Sequence, residues 1–173
     1  MAAGVAAQSV ALVYARPMTD SAIRWPARFS PDTAPVHVVN AITVSASPET
    51  VWKVLIRAAD WHEFYGNASD VMIEDGGPDL SDEARFTWRT FGVALETQVQ
   101  EFEPFERIAW LARAPMIEAY HAWLLVPAAG GCHVITEETQ HGFAARAGRL
   151  LFPGRMERWH QMWLEGLATV ARS

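Results

Sequence analysis

The pattern of apolar positions is clearest near the end of the chain. From Pro153 to Arg172, Met156, His160, Trp163, Leu164, Leu167 and Val170 recur at spacings of three and four. That spacing predicts one face of an amphipathic helix about five turns long. The face is apolar except for one histidine, while Arg155, Glu157, Arg158, Gln161 and Glu165 fall on the opposite side. Pro153 suits a first helical position, where its missing N–H would be unpaired in any case. Upstream, Val36 to Val44 is a β-branched strand, followed by Ser47, Pro48 and Glu49, the signature of a helix start. Val51, Trp52, Leu55 and Ile56 give that helix a buried face, and Ala58 to Tyr65 continues as a second short helix ending at Gly66-Asn67. Strand-like runs follow at Val71–Glu74, Ala84–Thr90, Val93–Phe102, Ile108–Arg113, Ile117–Val126 and Cys132–Gln140, separated by Gly and Pro breaks. A helical run after Gly142 leads into the final helix. The order predicts an α+β fold, with an antiparallel sheet beneath a long terminal helix.

Alternation within the strands says which side chains face inward. In the fourth run Glu96, Gln98 and Gln100 point out, leaving Val93, Leu95, Thr97 and Val99 inside. In the third, Arg85, Thr87 and Arg89 point out and Phe86 and Trp88 point in; Ile108 and Trp110 follow. Taking Trp123 and Leu125 inward makes His121 inward too, and the last strand then offers Val134, Thr136, Glu138 and Gln140. A slip of one residue in either of these two strands would exchange His121 for Tyr120 or Glu138 for Glu137.

Composition narrows the function classes. Half the residues are apolar, which excludes disorder, and eight tryptophans suit the walls of a pocket as well as a core. A net charge of −6 without a basic stripe argues against nucleic-acid binding. The lone Cys132 cannot form an internal disulfide, and a reducing cytoplasm is the default compartment. No metal site is expected: Cys132 has no second Cys or His-x-x-x-His pair beside it, and Asp60-Trp61-His62 has no partner at usable spacing. Met1 to Met18 is apolar but lacks the basic residues that open a secretory signal and is too short to span a bilayer, so a loosely ordered leader or short helix is expected. Thr19 to Pro35 reads as an extended tether whose Trp25 and Phe29 pack on the domain. The arginines Arg146, Arg149, Arg155 and Arg158 read as a solvated face.

The element order, together with Ser45-Ala-Ser-Pro-Glu-Thr-Val-Trp52, Asp60-Trp-His-Glu-Phe-Tyr65 and the hairpin from Pro127 to Val134, resembles the helix-grip fold of the START/Bet v1-like (SRPBCC) superfamily, including its polyketide cyclase/dehydrase branch. The resemblance covers about residues 36–172. It divides the chain into an extension over residues 1–35 and one ligand-binding domain over residues 36–173. It implies a curved sheet of about seven strands around the terminal helix, with an apolar cavity between them. The same fold hosts cyclases, lipid carriers and chaperone activators, so the family does not by itself assign a function.

On this register His121, His160 and Glu138 converge in a space walled by Trp88, Trp110, Trp123 and Trp163, with Phe86 and Thr97 beside them. Such a group could hold a titrating base near neutrality, with Tyr65 or Tyr120 as the donor to a developing enolate. Cyclisation or dehydration of a poly-β-ketone would need little more. Each residue also has a plainer role: a core histidine with one nitrogen satisfied, or a Glu138 bridged to an arginine. The expected partner is a small hydrophobic molecule, with no cofactor, no nucleic acid and no membrane; a homodimer is left open. A non-catalytic carrier or an interaction protein is the alternative.

Overall fold

The structure, a computed structural model, describes residues 22–173; the expected leader lies outside the described residues. The chain runs β1 (Val36–Val44), α1 (Pro48–Ile56), a 3-10 turn (Ala58–Asp60), α2 (Trp61–Phe64), β2 (Ser69–Ile73), β3 (Arg85–Thr90), β4 (Val93–Glu103), β5 (Arg107–Ala114), β6 (Ile117–Ala128), β7 (Gly131–His141), α3 (Phe143–Leu151) and α4 (Arg155–Val170). The strands form one antiparallel sheet in the order β1-β7-β6-β5-β4-β3-β2. This is the expected α+β helix-grip arrangement.

Several boundaries moved for local reasons. α4 begins at Arg155, because Gly154 sits just before it in the left-handed region at φ 71°, so Pro153 lies in the preceding turn. Val170, assigned to the buried stripe, is half-exposed beyond the edge of the sheet's cover. β2 starts earlier than expected, at Ser69, and the ladder between β4 and β5 slips between Val99 and Glu101, a bulge that alternation cannot reveal. The start of α1 is as expected: the Ser47 hydroxyl accepts from the Thr50 N–H at 3.3 Å.

α4 lies on the concave side of the sheet, and Trp163 is the knot that ties it there. Its indole stacks on Tyr65 at 4.3 Å and meets Trp61 and Trp123 edge-on at 5.0 Å each. Trp88, Trp110 and Trp61 continue this aromatic block beneath α2. The convex side has its own small core. Tyr120, Ala109 and Ala122 point away from the cavity and are covered by Phe29, with Ile23 and Trp25 against it. Phe29 stacks on Tyr120 at 5.7 Å, and Arg24 and Arg28 pin the lead-in through Glu101, Glu103 and Glu118.

Two positions test the packing. A Cβ on Gly166 would lie 2.2 Å from the Phe64 carbonyl oxygen, so the bare backbone of α4 is what lets it approach α2. Gly166→Ala should gain about 1 kcal/mol of helix propensity yet lose more by displacing α2, with a net destabilisation of about 1–3 kcal/mol by overpacking. Urea unfolding followed by tryptophan fluorescence reads this; an unchanged or higher midpoint would contradict the close approach. Cys132 is wholly buried, and burial pushes its thiol up to about 11. Its thiolate is therefore scarce at pH 8, and a disulfide reagent should label the folded protein at pH 8 only after denaturant is added.

Candidate functional site

Three elements bring the polar centre together. His121 comes from β6, Glu138 from its neighbour β7, and His160 from α4. His121 and Glu138 are register partners, so the ladder itself places them side by side. His121 Nδ1 lies 3.1 Å from Glu138 Oε2, and His160 Nε2 lies 3.3 Å from the same oxygen. The two imidazoles face each other with centroids 4.8 Å apart and planes 14° from parallel. Gln140 donates to the other carboxylate oxygen at 2.6 Å, and the Thr136 hydroxyl meets His121 Nε2 at 2.7 Å. Among the described residues no lysine or arginine is paired with Glu138, so the alternative of an arginine bridge is not formed.

Burial and pairing set the charges. Burial alone would raise the Glu138 carboxyl, but the two imidazoles and Gln140 outweigh it and hold it below the usual range. Burial, the dominant cause, drives His121 well down against the pull of Glu138. These directions compete, because a His121 kept neutral by burial lends no positive charge. Its N–H still donates to the carboxylate, so hydrogen bonds, more than an ion pair, keep Glu138 ionised. His121 is thus an uncharged ring at pH 7, and its proton affinity lies below the near-neutral value expected for a titrating base. His160 Nδ1 is buried without a partner, as are Trp123 Nε1 and Trp163 Nε1.

The polar centre opens on a cavity of about 280 Å³. Its wall includes Trp88, Trp110, Trp163, Tyr65, His121, Glu138 and His160. The other expected pocket residues lie elsewhere. Tyr120 belongs to the convex core, because its neighbour His121 takes the inward face and alternation sends it outward. It therefore cannot donate to an enolate in the cavity, and burial on the far face pushes its phenol up to about 12. Trp123 sits behind Trp163, Phe86 lies behind Trp61 and Trp88, and Thr97 accepts from Trp88 Nε1 at 3.1 Å; none of the three reaches the cavity wall.

Two groups were missed by sequence reasoning. Asn67 donates to the Tyr65 and Thr90 hydroxyls at 3.0 and 2.9 Å and accepts from the Phe91 N–H, fixing Tyr65 at the cavity. Its only signal was a Gly-Asn turn. Helix α3 supplies Ala144, Ala145, Gly148 and Arg149 to the mouth, where Arg155 lies over the rings of Phe91 and Phe152. The apolar stripe of α3, Phe143, Leu150 and Leu151, is exposed and only Ala145 is buried, so the helix pattern did not mark the face that turns to the mouth.

A family model described as polyketide cyclase/dehydrase and lipid transport matches residues 35–172. The chain belongs to that family. A search of curated proteins returned no match. Among solved structures, a hypothetical protein from Helicobacter pylori is 32% identical, with 89% of this chain and 98% of that one aligned at a TM-score of 0.83. The Zhui aromatase/cyclase from Streptomyces is 16% identical over 79% of this chain and 93% of its own, TM-score 0.65. The di-domain aromatase/cyclase StfQ of steffimycin biosynthesis is 14% identical over 79% of this chain and 51% of its own, TM-score 0.63. Both distant likenesses bear on the fold alone. No described helix is long and apolar enough to cross a membrane.

The hydrogen-bond chain around His121 is open to a direct check. Thr136→Val keeps the shape but leaves His121 Nε2 buried without a partner, which should cost about 1–3 kcal/mol. Thr136→Ser should recover most of that in the same urea titration; equal losses from both substitutions would mean the hydroxyl contributes nothing.

Proposed function

We propose that this protein binds a small, largely apolar molecule bearing an oxygen at one end, seats its rings against the tryptophan wall, and promotes proton transfer that cyclises or dehydrates it. The observation that carries this reading is a partly open aromatic cavity with one polar cluster, His121, Glu138 and His160, on its wall. A cavity of about 280 Å³ sits near the lower end of the ~300–1,000 Å³ usual for small-molecule sites, which suits a compact ring system over a long lipid. In such a mould, catalysis would come from fixing the chain's fold, excluding water and meeting a proton at a stated atom. His160 lines the cavity, and its Nδ1, buried without a partner, is that atom once the ring turns toward a bound molecule; the Tyr65 hydroxyl is the donor on the cavity side. Burial pushes the Tyr65 phenol well above its ordinary value, so it stays protonated.

One observation favours a carrier instead. Both nitrogens of His121 and both oxygens of Glu138 are already engaged within the protein, which leaves less of the cluster to act on a ligand. The interaction-protein alternative predicted a filled interior, and the cavity speaks against it.

Native mass spectrometry of the purified chain should show an apolar adduct. Ala112→Phe, which fills the cavity without removing a polar group, should abolish the adduct while the fold persists. With a poly-β-ketone thioester, His160→Gln should keep binding but slow cyclisation by about 10²–10⁴-fold, the usual contribution of a positioned base. Undiminished turnover in His160→Gln would remove His160 as the base, and an adduct without turnover in the wild type would leave the carrier reading; an adduct surviving Ala112→Phe would sink both.

A further inference from the structure

We infer that His121, Glu138 and His160 form a site for one divalent transition-metal ion, held by His121 Nδ1, Glu138 Oε2 and His160 Nε2. These atoms lie within 4.8 Å of one another, and all three residues are buried. The separations from Oε2, 3.1 and 3.3 Å, are longer than the ~2.7–2.9 Å of a charge-assisted hydrogen bond. They match the roughly 3.0–3.4 Å between neighbouring donor atoms on one ion with bonds near 2.1 Å and angles of about 90–110°. The two imidazole nitrogens, up to 4.8 Å apart on near-parallel rings, must turn toward a common point to share one ion, since two bonds near 2.1 Å span at most about 4.2 Å.

The surroundings fit a metal centre. Metal-bound imidazoles and carboxylates are generally steadied by outer partners, and here both β-strand ligands have one: Thr136 at 2.7 Å from His121 Nε2 and Gln140 at 2.6 Å from Glu138 Oε1. With an ion on Nδ1, His121 Nε2 carries the proton and donates it to Thr136. The charge also fits. A buried carboxylate with no lysine or arginine paired to it among the described residues is strongly stabilised by a divalent cation.

The donor set selects the class of ion. Two imidazoles and one carboxylate suit Zn²⁺ or Fe²⁺; Mg²⁺ and Ca²⁺ prefer all-oxygen shells. Three protein ligands leave a position open, as at catalytic sites. All three residues line the cavity, so an ion held by them would be placed to polarise the oxygen of a bound molecule. Strand register already brought the trio together in the sequence, but spacing gave no metal signature, because its members come from three elements and no two share a helix turn. The inference needs no apolar ligand, so ion binding is tested apart from the proposed function; with an ion on Nε2, His160 Nδ1 carries the ring proton, and the base role then belongs to the ion-free protein.

The test uses the full-length chain without a histidine tag, stripped by chelator and titrated with Co²⁺ under visible spectroscopy. One equivalent of Co²⁺ should bind with d–d absorption, Zn²⁺ should displace it, and Fe²⁺ added anaerobically shows which ion competes better. His160→Gln and Glu138→Gln should each lose the absorption. Thr136→Val should weaken Co²⁺ affinity about 10–100-fold, and His62→Gln, at an exposed surface position, should change nothing. Circular dichroism accompanies each variant, and if a ligand variant unfolds, the wild-type titration and Thr136→Val still decide. Absence of a one-to-one Co²⁺ complex in the folded wild-type chain, or a complex that persists unchanged in folded His160→Gln, would overturn the site.

Discussion

A carboxylate held ionised beneath a layer of indole rings is the constraint that orders the rest of this structure. Glu138 has no arginine or lysine beside it among the described residues. It is held by one donor from its own strand, one imidazole from the neighbouring strand and one from the terminal helix. An unpaired charge at that depth would cost several kcal/mol, so the position of α4 is coupled to the state of β7. The register of β6 against β7 has to be correct to the residue, because a slip by one would replace His121 with Tyr120 and leave the carboxylate bare.

Trp163 makes that coupling stiff. It lies one turn beyond His160 on α4, so seating its ring between Tyr65, Trp61 and Trp123 also fixes where His160 Nε2 points. Truncation of a buried tryptophan typically costs about 3–5 kcal/mol, a large fraction of a domain's net stability. Packing energy therefore holds the imidazole in place, and the weaker polar contacts need only choose its hydrogen-bond partner. The close approach at Gly166 brings α2 into the same unit.

Much of this was legible in the sequence because the sheet has two unlike faces. Arg85, Thr87 and Arg89 on one strand and Glu96 and Gln98 on the next mark the outward face, and parity then assigns Trp88 and Thr97 to the inward one; His121 and Glu138 followed only from taking Trp123 and Leu125 inward as in related hairpins. Parity gives a face, however, and not a depth. Phe86, Thr97 and Trp123 are inward yet sit behind other rings, since whether an inward side chain reaches a cavity depends on what α2 and α4 lay over it. The bulge after Val99 was hidden for a related reason: an extra residue shifts register without changing the local apolar pattern. Tyr120 shows the limit most directly. The lead-in's Trp25 and Phe29 were expected to pack on the domain, but nothing in their spacing says that Tyr120 is what they cover.

The two ends of the cavity are built to different standards. Around Glu138 nearly every group is buried and bonded to a neighbour from another element. At the mouth, α3 buries only Ala145 and leaves Phe143, Leu150 and Leu151 largely exposed. Arg149 paired with Glu157 and Arg155 over two rings are contacts made in water, individually worth about 1 kcal/mol or less. Local opening follows the number of buried apolar contacts that must be broken, so displacing α3 costs far less than displacing α4. The mouth at α3 is therefore the side of the cavity that widens at least cost, while the trio at the inner wall keeps its geometry because its three elements are packed together.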